Sequence, residues 1–223
     1  MEITSVPEAQ QVLWWGNQRE KRRRFYTKYL DVEGISIIGS DNVSDNIFYR
    51  AKEIVLKVTS QHLQIRRDMS GSRLMLAARG EKIQSLPELR DFRQSPYGCS
   101  RISTQGIVDY CASVVEWDGN PNMGVFTHEL GHAIVRTIRG LEPNFDSLLN
   151  QAYNQSTALS TWGDPLMSKD LGEYWAEGVK LWTHDVGTGR QFETKDAFIE
   201  HDRGLAEILD NWLPVGDIPY DYS

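Results

Sequence analysis

Apolar residues recur at every fourth position from Phe126 through Leu130 and Ile134 to Ile138, a spacing that lays one apolar stripe along a helix. Asn120 or Asn122 can cap that helix, Pro121 suits its first turn, Gly140 closes it, and Pro143 forbids a simple continuation. Upstream, residues 29–40 read as a short strand or hairpin around Glu33 and Gly34. Val43, Ile47, Ala51, Ile54, Val55 and Val58 follow helical spacing, with Asp41, Asn42 or Ser44 as caps. Residues 73–78 read as a second buried strand and 79–100 as mostly loop, broken by Pro87 and Pro96. Residues 107–110 and 113–115 read as edge strands. Downstream, helices are expected over 145–155, over 171–185 behind an Asp170 cap, and over 198–212, with a polar linker through Ser160, Gly163 and Pro165. The succession predicts an α+β fold. A single domain spans 25–223, with a small mixed lobe over 25–120 and a mainly helical lobe over 121–213, preceded by a polar, basic arm over 1–24.

The first helix described above also carries His128-Glu129-Leu130-Gly131-His132. Residues i and i+4 stack on one helix face, so two neutral imidazoles can take adjacent corners of a zinc tetrahedron. Both histidines fall roughly 200–240° round from Phe126, opposite the apolar stripe. Glu129 then points at the neighbouring corner, where a metal-bound water would sit and a carboxylate could take its proton.

Two histidines leave such an ion short of a ligand, and the downstream candidates are Glu173, Glu177, His184 and His201. Glu173 and Glu177 share one helix face, opposite a stripe of Trp175, Ala176, Val179 and Trp182. His184 lies about 16 Å along the axis from Glu173, too far to share an ion with it on an unbroken helix. The pair His128-Glu-Leu-Gly-His132 and Glu173-Tyr-Trp-Ala-Glu177 resembles the gluzincin pattern of the anthrax-lethal-factor-like metallopeptidases and the Pro-Pro endopeptidases. The resemblance covers about residues 120–185. It implies a zincin-like fold, zinc ligation by Glu173 beside the two histidines, and support of a ligand by Glu177. That family places a tyrosine seven residues before the ligand glutamate, where this chain has Leu166. Tyr153, Tyr174, His184 or His201 would then have to stabilise the oxyanion.

The function expected is a zinc-dependent metalloendopeptidase, with Glu129 as base and an edge strand near 106–115 binding an extended peptide or protein substrate. The alternatives are a zinc-stabilised binding protein without turnover and a zinc hydrolase of a non-peptide amide. Composition trims the choice. The 223 residues, 40% hydrophobic and 25% charged, describe a globular chain, and a net charge of −7 argues against nucleic acid and favours neutral or basic substrates. No apolar run approaches the roughly 18 residues of a membrane span, and no signal-peptide core is visible. Cys99 and Cys111 flank a turning segment, so a bridge between them is expected, with two unpaired buried thiols as the alternative. That bridge would imply an oxidising compartment and hence a secreted protein. Nothing in the pattern fixes an oligomeric state.

Overall fold

The computed structural model describes residues 2–78, 80–93, 95, 97–102, 108–117, 120–121, 123–184, 192 and 194–213. Two helices, α1 (Glu8–Trp15) and α2 (Arg19–Phe25), precede a hairpin of β1 (Lys28–Val32) and β2 (Ile35–Gly39). The hairpin turn holds Glu33 at φ 52° and Gly34 at φ 90°, the two left-handed residues that a tight two-residue connection needs. Helix α3 (Asp45–Val58), started by Ser44, and the short α4 (Leu63–Asp68) carry the chain over to β3 (Arg73–Ala77), which lies parallel to β2. β4 (Gly98–Ile102) and β5 (Val108–Val114) complete a sheet of order β1-β2-β3-β5-β4, with β3 and β5 parallel and both outer strands antiparallel to their neighbours. A two-stranded ribbon, β6 (Glu116–Trp117) and β7 (Asn120–Pro121), leads into α5 (Gly124–Leu141). Then follow α6 (Phe145–Ala158), α7 (Leu171–His184), α8 (Lys195–His201) and α9 (Arg203–Trp212).

Strand alternation sorts the core into two faces. Leu30, Ile37, Leu74, Leu76 and Cys111 join one cluster with α3, α5 and the C-terminal helices. Tyr29, Ile38, Met75, Ala112 and Val114 face the other way, against Val6, Trp15 and Tyr26. The N-terminal stretch is therefore folded onto the sheet: Trp15 stacks on Tyr26 with ring centroids 5.8 Å apart, and Thr4 bridges to Tyr29.

The α+β class holds, with a small five-stranded sheet and a mostly helical remainder. Several expected details do not. Residues 108–114 form one interior strand rather than edge strands, because the small buried Cys111 and Ala112 sit between β3 and β4 and leave no apolar alternation to read. The outer strand beyond β5 is β4, in a stretch assigned to loop; Gly98, Ser100 and Arg101 give it no apolar period. Met123, not an asparagine, precedes α5, and Pro121 is taken up in β7. The helix also runs through Gly140, and it ends where Glu142 becomes extended ahead of Pro143. The expected 198–212 helix is two helices, interrupted at Asp202. Buried Asp202 accepts the Leu205 N–H on Oδ1 and both the Trp162 Nε1–H and the Tyr174 hydroxyl on Oδ2, which fixes its backbone outside the helical region.

The disulfide expectation is overturned. Register pairs Cys99 with Ala112 and Ser100 with Cys111, so the two sulfurs project from opposite faces of the sheet. Neither cysteine is in a disulfide. Cys111 Sγ lies 3.6 Å from the Glu129 carbonyl oxygen, while Cys99 packs toward the other cluster. The cysteines therefore carry no inference about a redox compartment. None of the described helices is long and apolar enough to cross a membrane.

Candidate metal centre

Helices α5 and α7 cross at Gly131. A Cβ there would lie 3.0 Å from Ala176 Cα and 3.2 Å from Val179 Cβ, so the small pair Gly131 and Ala176 sets how closely the two backbones approach. Trp175, fully buried, donates Nε1–H to the Gly131 carbonyl at 2.9 Å and pins the crossing. Phe126, Leu130, Ile134 and Ile138 are buried as their spacing predicts, as are Trp175, Ala176, Val179 and Trp182. With both stripes facing inward, His128 and His132 on α5 meet Glu173 and Glu177 on α7. Asp170 starts α7 by accepting the Glu173 N–H at 2.9 Å.

Three donor atoms converge. His128 Nε2 lies 3.2 Å from His132 Nε2 and 3.1 Å from Glu173 Oε2, and His132 Nε2 lies 3.6 Å from the same oxygen. A tetrahedral ion with bonds of 2.0–2.1 Å would separate its donors by about 3.3–3.4 Å. The triangle therefore fits a small divalent ion, and the His-His-Glu group can hold a metal.

The outer atoms fix how the inner ones point. His128 Nδ1 donates to Glu177 Oε2 at 3.0 Å, which puts the proton on Nδ1 and turns the Nε2 lone pair toward the other donors. Glu177 also receives Lys180 on Oε1. Lys169 Nζ donates to Glu173 Oε1 at 2.6 Å, leaving Oε2 for the histidines. Burial alone would lower His128, but the Glu177 hydrogen bond and the charges of Glu129, Glu177 and Glu173 outweigh it and raise its pKa. His132 is lowered, by burial first and then by the charge of His128. Burial would raise both glutamates. Lys169 and the histidines hold Glu173 below the usual range, and His128 and Lys180 do the same for Glu177.

These groups line a cleft of about 860 Å³ bounded by α5, α7 and the segment leading into β4. Glu129 is buried in the same cleft, beside His128. A Cβ on Gly98 would lie 2.6 Å from Glu129 Oε1 and 2.8 Å from Val125 Cγ1, so β4 passes close against the carboxylate and any larger residue there would displace these side chains. Burial, and then the charge of Glu129, push the neighbouring Cys99 thiol up to about 12.

Three of the four residues considered for oxyanion stabilisation lie elsewhere. Tyr174 is fully buried and spends its hydroxyl on Asp202 at 2.7 Å; burial, and then that carboxylate, raise its pKa. Tyr153 donates to the Ser168 carbonyl at 2.8 Å, and His201 packs on Trp162 at 4.3 Å, away from the cleft. His184 closes α7, and its side chain lies outside the described residues. Leu166 does line the cleft, with Val135, Leu149 and Leu171. Sequence reasoning missed Tyr97, Gly98 and Cys99 as lining residues, because nothing in 79–100 signals a strand, and missed Lys169 and Lys180, which read as ordinary surface lysines. Compared with models of protein families, with curated proteins and with solved structures, the chain matches none of them, and its chemistry rests on this geometry.

Proposed function

We propose that the protein is a zinc-dependent metalloendopeptidase. The observation that carries the reading is the triangle of His128, His132 and Glu173 donors, 3.1–3.6 Å on a side, with Glu129 buried in the same cleft. The nitrogen-rich donor set suits zinc better than magnesium or calcium, which prefer oxygen. When bound, the ion would polarise a peptide carbonyl and acidify a water. Glu129 takes the proton from the attacking water and returns it to the departing amine. Glu177, backed by Lys180, keeps His128 in the tautomer that presents Nε2. β4, the outer strand whose Gly98 lies against Glu129, can pair with an extended substrate, a role expected of the strand now found inside the sheet. The resemblance of the two helix motifs to gluzincins supports the same reading.

Glu129→Gln should keep one zinc per chain and lose at least a hundredfold in peptide cleavage, measured by mass spectrometry of a peptide library beside metal analysis. Retained cleavage would remove Glu129 from the mechanism. One observation favours a second reading, a zinc-stabilised binding protein without turnover: Leu166 occupies the cleft wall where the gluzincin pattern has a tyrosine, and Tyr174 and His201 are committed elsewhere. Zinc binding without cleavage in the unaltered chain would select it.

A further inference from the structure

Among the described residues, three cations line the cleft, and the reaction proposed above does not use them directly: Arg139, Lys169 and Lys180. Arg139 is committed to Asp146, with Nε donating to Oδ1 at 2.7 Å. Lys180 is 27% exposed and drawn to buried Glu177. Lys169 differs from both. Its side chain is 58% exposed, it lies one residue before the Asp170 cap, and its amine rests on Glu173 Oε1. The oxygen it leaves is the one facing the histidines. A divalent ion taken by Oε2 draws on the same carboxylate charge and loosens the hold on Lys169. The ammonium, on a flexible four-carbon stem, can then turn to a group lying in the cleft. Leu166 and Leu171 flank Lys169 in sequence and line the same cleft, so a carboxylate seated there would meet the ammonium beside apolar walls.

We propose that the cleft selects a peptide carrying a carboxylate next to the scissile bond, and that Lys169 receives it. Two sources supply this group, an Asp or Glu side chain and a free C-terminus. This substrate class rests on the metallopeptidase reading and deepens it. It also runs against the net charge of −7, which by itself would turn anionic peptides away. The global charge is spread over the whole surface, whereas substrate meets the local field of the cleft.

The test is binding of short peptide hydroxamates to the zinc-loaded protein by calorimetry, with Glu, Gln or Lys as the flanking residue. Each is made with a free and an amidated C-terminus. The Glu probe should bind about fivefold tighter than the Gln probe, and the Lys probe weakest. Lys169→Met should bring Glu and Gln level, and Lys169→Glu should favour the Lys probe. Zinc content measured on each variant separates loss of Glu173 support from loss of ligand pairing. Preference confined to the free C-terminus would assign the carboxylate to a chain end, and preference for Glu in both series to a side chain. Equal binding of all probes, or a Glu preference that survives Lys169→Met, overturns the proposal and leaves the metal centre standing. A zinc-loaded protein that binds no hydroxamate overturns this proposal and the peptidase reading together.

Discussion

Two buried carboxylates, Glu177 in the cleft and Glu88 behind the sheet, have nearly equal exposure at 4% and 8%, yet their surroundings are opposite in kind. Glu88 accepts the Tyr26 hydroxyl at 2.6 Å and is flanked by Arg22 at 3.6 Å and Arg73 at 3.7 Å, one from α2 and one from β3. Its charge ties the N-terminal helices to the sheet. Burial first, and then Glu88, raise the Tyr26 phenol well above its ordinary value, so that group stays protonated. Glu177 instead spends its oxygens on Lys180 and on a histidine whose other nitrogen faces a cleft. The first arrangement joins parts of the scaffold to one another. The second orders an atom that is still available to bind something. Burial and ion pairing by themselves do not mark a functional site; a donor left facing open space does.

The contrast can be broken by removing each side in turn. Glu173→Ala should abolish stoichiometric zinc at micromolar protein while costing about 1 kcal/mol or less in metal-free stability, since its Lys169 pair is largely exposed. Metal analysis and denaturant melts check the two halves. Glu88→Ala should do the reverse, destabilising by about 3–5 kcal/mol because it removes the buried carboxylate that Arg22 and Arg73 both face, with zinc affinity unchanged. A weakened metal site in that variant would show that the two faces of the sheet are coupled. Glu177→Ala should lower zinc affinity about 10–100-fold, and Glu177→Gln, which keeps an oxygen to accept the Nδ1–H, should recover much of it in a chelator competition. Gly131→Ala should cost about 1–3 kcal/mol and weaken zinc modestly, because the added Cβ would press on Ala176 and part α7 from α5.

Much of the centre was legible because its information is local. His128 and His132 share a helix turn, as do Glu173 and Glu177, and the apolar stripes opposite them say which way both helices face. The hairpin at Glu33 and Gly34 was legible for the same reason, since two adjacent residues specify the turn. Asp202 was not, because a helix-compatible residue was claimed by Trp162 and Tyr174 from distant parts of the chain. The cysteine bridge failed on register: spacing placed Cys99 near Cys111, but pairing set their sulfurs on opposite faces.

The sequence by itself determined the α+β class, the two motif-bearing helices and the donor types, all of which follow from periodicities of a few residues. Only the tertiary structure decided that β4 rather than β5 is the outer strand, that Gly98 lies against Glu129, and that Lys169 and Lys180 hold the outer oxygens of the two glutamates. It also decided that Tyr174 is spent in the core. Each of these depends on which surfaces meet across long stretches of chain, and a helical or strand period carries no record of the partner it packs against.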